Sequence, residues 1–324
     1  MHINFLNPTL CNPPMHAIEV KDLKKFYYSK SGIVKALDGV SFSIRKGEFF
    51  GLLGPNGAGK STTINILSGL LLKDSGSIRI LGKDPEQDWE YVKNKMNVAS
   101  AYFGLTGNIT VEQNLKVYAK IFNIPNATEK IHALLKQFDV FHLRKTLASY
   151  LSSGERTRVT LCKGLLNDPA VLLLDECTVG LDPDIADRTR ALIKKYQKEQ
   201  HATILFTSHY MPEVEALCNR IALLHQGKIL EIDTPKRLKR LIKFQTVEID
   251  FVKADSRIRK ILEEYGIKIL SMQGNNYFLE TSAVEDTLYK ALNVLFQKGY
   301  KLTDLKINKP TLEDLFIKLA RGAI

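Results

Sequence analysis

The sequence predicts an α/β domain built on a buried sheet, followed by a smaller α+β module. Three observations carry this expectation. An unbroken apolar run at 49–53 feeds a glycine-rich turn and then a helix-like segment at 60–71. A second apolar run, 171–174, ends in two acids. From residue 246 the pattern changes to strand, helix, strand, strand, helix, strand, the order of a ferredoxin-like module.

The elements follow in order. Residues 1–16 are polar and Pro-containing and lack the basic start and apolar core of a secretory signal, so they read as a flexible tail of a cytosolic protein. Met15 directly precedes the first strand-like run and is the expected translation start. Runs 17–20 and 40–44 read as strands, the second alternating Val40, Phe42 and Ile44 with Ser41, Ser43 and Arg45, which predicts an antiparallel edge. Segments 111–122 and 127–138 read as helices separated by a break at Pro125; they place a helical subdomain at about 100–165 inside the core. Strand signals return at 171–174, 203–206, 221–224 and 228–231, which closes a first domain over 17–241. The module over 246–324 has strands at 246–252, 267–271, 277–281 and 300–307 and helices at 256–265 and 284–298. A last helix, 311–319, has Thr311 as its N-cap.

Bulk properties exclude several classes. With 324 residues, 44% of them hydrophobic and 25% charged, the chain is neither disordered nor fibrous. No apolar run approaches the roughly 18–20 residues that cross a bilayer. Cys11, Cys162, Cys177 and Cys218 are scattered without metal-ligand spacing and read as reduced thiols. The net charge of +11 fits nucleic acid or an anionic membrane surface, but it is spread along the chain. The run 236–243 concentrates it; such a run either touches anionic lipid or forms a connecting helix with a solvated face.

The chemistry-bearing motifs decide between these. Gly54-Pro55-Asn56-Gly57-Ala58-Gly59-Lys60-Ser61-Thr62 matches G-x-x-x-x-G-K-[ST], between a buried strand and a helix. Its glycines let backbone N–H groups turn toward phosphates, the helix N-terminus adds a favourable dipole, Lys60 reaches the β and γ phosphates of ATP, and Ser61 ligates Mg²⁺. The run Val171-Leu172-Leu173-Leu174-Asp175-Glu176 puts two carboxylates at the carboxyl edge of the sheet, where ligands bind. Asp175 is placed to hold Mg²⁺, and Glu176 to orient and deprotonate an attacking water. The plainer readings are a surface lysine in a glycine turn and two solvated acids; the two motifs together outweigh them.

Between these motifs, Leu151-Ser152-Ser153-Gly154-Glu155 resembles the ABC signature, and Thr207-Ser208-His209 resembles that family's switch histidine. From about 18 to 241 the chain is thereby similar to an ABC nucleotide-binding domain: a P-loop NTPase core with an antiparallel β subdomain and an inserted helical one. The trailing module, with Pro310-Thr311-Leu312-Glu313-Asp314-Leu315-Phe316, resembles the tail of ABC-2 type exporter subunits. The resemblance implies that Tyr27, or else Phe26 or Tyr28, stacks on adenine. It implies that His209 bonds the γ-phosphate and supports Glu176. It implies a head-to-tail homodimer in which Ser152 and Gly154 meet the ATP of the other subunit and Asp182 links the two sites. As an alternative, Asp182 is a simple N-cap before Pro183.

Three departures from the family pattern stand out. Ala101 occupies the place of a glutamine that contacts Mg²⁺ and reports to the membrane subunit, and Gln113 lies too far downstream to replace it. Ser153 and Glu155 replace the usual glycine and glutamine of the signature. Cys177 and Val179 stand where Pro and Ser are common; the thiol is either a redox-sensitive neighbour of Glu176 or a small buried residue.

The expected function is an ATPase that drives separate transmembrane permease subunits from the cytoplasmic face of the membrane, with ATP and Mg²⁺ and no nucleic-acid partner. Two alternatives are a soluble ABC ATPase of translation or DNA repair and a weakly hydrolysing, ATP-gated dimerisation module. One domain without sustained heptads argues against the first, and Glu176 with His209 against the second.

Overall fold

The computed structural model describes residues 16–29, 32–100, 104–178, 180–242, 244–282 and 284–321. Its first elements are a long antiparallel hairpin of β1 (His16–Ser29) and β2 (Gly32–Arg45), paired from His16↔Arg45 to Ser29↔Gly32. The sequence pattern marks only 17–20 and 40–44 as strands; the register shifts along the hairpin break the two-residue alternation elsewhere, so the pattern cannot show its full length. Strand β3 (Phe49–Leu53) is buried throughout and leads to α1 (Lys60–Leu67). β4 (Ser75–Ile80) then pairs with β1 to give a three-stranded sheet, β2-β1-β4.

β4, α2 (Trp89–Lys95) and β5 (Met96–Ser100) lie where the sequence pattern predicts no element. β5 contains Asn97, whose amide is held by Lys163 O at 3.1 Å and Asn167 Oδ1 at 2.8 Å. A buried polar residue inside a five-residue strand hides it from a hydrophobicity pattern, yet these bonds make its burial tolerable. The helical insertion consists of α3 (Val111–Ile121), opened by a Thr110–Gln113 capping box, α4 (Ala127–Gln137) and α5 (Ser153–Gly164).

β6 (Val171–Asp175), α6 (Pro183–Gln200), β7 (Thr203–Ser208), α7 (Met211–Leu217), β8 (Arg220–His225) and β9 (Lys228–Asp233) complete the first unit. The central sheet runs β5-β6-β7-β3-β8-β9, with the first five strands parallel and β9 antiparallel to β8. Helix α7 packs hard onto β3 at Gly51, where an added Cβ would sit 2.7 Å from Val214 Cγ1.

The chain divides into two compact units between Asp233 and Thr234, eight residues before the boundary expected at 241. The basic run is the reason. It forms α8 (Pro235–Arg240), capped by Thr234, with Leu238 fully buried and Lys236, Arg237 and Arg240 exposed, and it belongs to the second unit. That unit continues with β10 (Gln245–Phe251), α9 (Ser256–Glu264), β11 (Lys268–Gln273), β12 (Asn276–Thr281), α10 (Tyr289–Gln297), β13 (Leu302–Asn308) and α11 (Leu312–Ala320). A π-turn, Val284–Leu288, precedes α10 where the pattern predicts one continuous helix. The sheet is antiparallel, in the order β11-β12-β10-β13. Val247, Ile249, Phe251 and Leu279 meet Ile258, Leu262, Ala291 and Leu295 in its core.

Thr311 caps α11 reciprocally with Asp314, accepting the Asp314 N–H at 3.2 Å while Asp314 accepts the Thr311 N–H at 2.9 Å. Thr311→Ala is expected to destabilise α11 by about 1 kcal/mol. Hydrogen exchange checks this: the α11 amides lose about fivefold protection while those of β3 and β6 keep theirs.

Candidate nucleotide site

The loop after β3 is shaped by two glycines that tolerate no side chain. A Cβ on Gly54 would lie 2.3 Å from Leu224 O, and one on Gly59, at φ 112°, would lie 2.5 Å from Ala36 O. The backbone is thus pressed between β8 and β2, and it turns directly into α1, whose N-terminal amides favour an anion. Lys60 is buried. Its Nζ donates to Gly54 O at 2.7 Å and Pro55 O at 3.1 Å and lies 3.7 Å from Glu176 Oε1. Burial pulls its pKa below the usual lysine range, and Glu176 and Asp175 oppose that pull.

Asp175, at the buried end of β6, accepts a hydrogen bond from Thr207 Oγ1 at 2.5 Å and one from Ser100 Oγ at 3.4 Å. One carboxylate thereby joins the ends of β5, β6 and β7. Glu176 has a left-handed backbone, φ 50°, rare for a non-glycine residue and held here by its N–H donating to Thr207 O at 3.1 Å. Its Oε1 also stands 3.3 Å from His209 Nδ1. Lys60, Glu176 and His209 therefore share one carboxylate oxygen. An outermost wall comes from the hairpin: Tyr27, Val34, Lys35 and Ala36 face Asn56, Gly57, Gly59, Lys60, Ser61, Thr62 and Glu176 across a cleft of about 400 Å³. Of the three aromatics at the end of β1, Tyr27 is the one in this lining.

Leu151, Ser152, Ser153, Gly154 and Glu155 form a second, separate cluster at the start of α5. Ser152 is the N-cap: its Oγ accepts the Glu155 N–H at 3.3 Å, and the Glu155 carboxylate accepts the Ser152 N–H at 2.9 Å. The loop before α6 lies against it, with Leu181 Cδ2 3.3 Å from where a Cβ on Gly154 would be. Asp182 occupies the N-cap position of α6 but makes no side-chain capping bond, and its side chain is exposed.

A family model described as "ABC transporter" matches residues 37–179, which contain the phosphate loop, the 151–155 cluster and the two acids. The linearmycin resistance ATP-binding protein LnrL of Bacillus subtilis is 30% identical over 316 residues, covering 93% of this chain and 97% of that protein. This chain belongs to the ABC transporter ATP-binding proteins. The Nod factor export ATP-binding protein I of a Rhizobium species (strain N33) is 31% identical over 312 residues, covering 94% of this chain and 96% of its own length. A solved dimeric ATP-binding cassette in a post-hydrolysis state with ADP and phosphate superposes with a TM-score of 0.62 at 23% identity, over 67% of this chain and 98% of that one; it shows the shared fold.

Within this ABC cassette, the supporting bonds of Thr207 and Ser100 to Asp175 escape sequence reasoning, as does an ion pair between the half-buried Arg190 and the buried Glu213. The hydroxyls carry no motif, and the charged pair is separated by 23 residues. Ala101 and Val179 lie outside the described residues. Cys177 is buried, and desolvation, with help from Glu213 and Asp175, raises its thiol pKa far above the ordinary value. It is a packed, protonated thiol.

Two outcomes follow. Gly59→Ala is expected to abolish binding of a fluorescent ATP analogue, whereas Gly57→Ala, whose Cβ meets open space but sits at φ 79°, weakens it about tenfold or less. Cys177 in the native chain at pH 8 is expected to react with maleimide at least about 100-fold more slowly than after denaturation, as followed by peptide mass spectrometry.

Proposed function

We propose that this ABC cassette hydrolyses ATP as the motor subunit of an ABC-2 type exporter and works as a head-to-tail homodimer on permease subunits at the cytoplasmic face of the membrane. The observation that carries the chemistry is the approach of Lys60 and His209 to one oxygen of Glu176, with Lys60 and Glu176 lining the cleft. Tyr27 offers its ring to adenine, and the residues from Gly54 to Thr62 wrap the phosphates with backbone N–H groups. Lys60 neutralises phosphate charge. Ser61 and Asp175 supply hydroxyl and carboxylate oxygens, the donor type a hard cation takes, and fit Mg²⁺. That ion, when bound, offsets the phosphate charge.

Glu176 orients the attacking water and takes its proton; His209 holds the carboxylate and reaches the γ-phosphate. The cluster of Ser152 and Gly154, with Asp182 beside it, contributes to the site of the second copy. The separation of two complementary clusters on one unit supports this pairing, since each is half of a site. Matches to exporter and resistance ATP-binding proteins over more than nine-tenths of the chain support the transport reading over translation or repair. The second unit fits a ferredoxin-like module by its strand order, and its retention in those full-length matches supports a shared role in such exporters. Among the described residues no helix is long and apolar enough to cross a membrane, so the membrane-crossing path is assigned to another chain.

The test is ATP turnover with Mg²⁺ alongside light scattering. Wild type is expected to hydrolyse; Glu176→Gln to lose about 10²- to 10⁴-fold in kcat and accumulate as an ATP-loaded dimer; Lys60→Ala to remain monomeric. Wild type that dimerises on ATP without turnover would overturn the motor reading.

A further inference from the structure

A charge pair that the proposed chemistry does not use joins a half-buried arginine to a buried carboxylate. Glu213, in the first turn of α7, is 4% exposed. Its Oε1 receives Arg190 Nη1 at 3.1 Å, and Arg190, from the middle of α6, is itself anchored to Asp187 through Nη2 at 2.5 Å. The other oxygen, Oε2, accepts the Ser208 hydroxyl at 3.3 Å. Ser208 Oγ in turn accepts the Tyr210 N–H at 3.0 Å. His209 is thus the single residue between two positions fixed by this chain of bonds, and its Nδ1 faces Glu176 Oε1 at 3.3 Å.

We infer that Arg190 and Glu213 are positioning residues that clamp the Ser208–Tyr210 turn and so hold His209 against Glu176. This rests on the reading of Glu176 and His209 given above. Stability alone does not account for the pair: desolvating the Glu213 carboxylate offsets much of its attraction to the half-buried Arg190. What it supplies is direction. The arginine fork fixes one carboxylate oxygen, which leaves the other aimed at a single hydroxyl. The lever arm is short, since Ser208 is also held by strand pairing opposite Leu53, at the root of the phosphate loop. Helix α6 starts at Pro183, about two turns before Arg190, with Asp182 at its N-cap position. The clamp therefore ties the loop before α6, beside the Ser152–Glu155 cluster, to His209 through one helix and one charged pair.

The experiment compares wild type with Glu213→Gln, Ser208→Ala and their combination, measuring kcat, KM for ATP, and hydrogen exchange over 207–211. Clamping predicts that each single variant loses about 10- to 100-fold in kcat with KM changed less than about threefold, as expected for a misplaced catalytic group. It predicts that the combination is no worse than the poorer single variant, because both cut the same path. It also predicts exchange at Tyr210 about tenfold faster, while the amides of β3 and β6 are unchanged. Unaltered kcat in a folded Glu213→Gln chain, multiplicative losses, or unaltered exchange at Tyr210 would each overturn the clamp. Should Glu213→Gln fail to fold, the paired exchange Arg190→Met with Glu213→Leu removes both charges and carries the same expectations. The exchange measurement needs no turnover, so a wild-type chain without ATPase activity would count against Glu176 as the base while exchange still decides the clamp.

Discussion

The site depends on the register in which β7 lies between β6 and β3. Asp175 pairs with Thr207, and Leu53 pairs with Ser208, so three parallel strands end at one level. From that level the chain leaves in three directions: into the phosphate loop after β3, into the acid pair at the end of β6, and into the histidine turn after β7. A register slip of one residue would turn each strand over and send all three sets of side chains into the core or away from each other. Burial on both faces alone does not fix this register, since β3, β6 and β7 are buried at every position; the Thr207 and Ser100 bonds to Asp175 at the strand ends and the close packing of α7 on Gly51 do.

Against that rigid frame, the polar groups at the strand ends are unusually concentrated. Lys60, Asp175, Ser208 and Glu213 are each less than a tenth exposed. Burying any one alone would cost several kcal/mol or force it neutral. Together they satisfy one another: two carbonyls and a carboxylate around Lys60, two hydroxyls on Asp175, a guanidinium and a hydroxyl on Glu213. The left-handed backbone of Glu176 belongs to the same arrangement, since it turns the side chain back toward Lys60 instead of onward along β6. Close approach is the other requirement, and glycine meets it at Gly51 against α7, Gly54 against β8 and Gly59 against β2.

How much of this was legible in the sequence follows from which forces write patterns. The apolar runs of β3 and β6 and the glycine loop were legible because burial on both faces and the close backbone approaches at Gly54 and Gly59 restrict residue type at consecutive positions. In the second unit β10 and β12 were legible because every other residue of each is buried, α9 and α10 because each has one apolar stripe, and even the Thr311 cap has a local signature, whereas β11 and β13 have no buried residue. β5 was not, because its burial rests on side-chain bonds of Asn97 to residues some 70 positions away. The far half of the first hairpin was not, because bulges scramble alternation. The unit boundary falls before the basic run, ahead of the end expected at 241, and Leu238 and Ile242 within that run are buried. Long-range polar contacts such as Thr207 with Asp175, or Arg190 with Glu213, leave no spacing rule at all.

The departures in the 151–155 cluster show how backbone and side chain divide one task. Anion binding at a helix start uses N–H groups, which any residue provides; the side chains at the N-cap and three positions on only hold the turn open in the right shape. A capping box accepts glutamate or glutamine at that third position, since both present an oxygen to the N-cap amide, so Glu155 preserves the geometry that Ser152 and Gly154 need. It does not preserve the charge. A carboxylate in the first turn offsets part of the positive helix end and engages the Ser152 N–H. In the head-to-tail pairing proposed above, the cluster starts out less attractive to a phosphate than its glutamine-bearing counterpart would be, and its attraction grows as Lys60 of the second copy comes near. Under that proposed pairing, an anion site weakened in isolation and restored by apposition favours closure only when both halves are present.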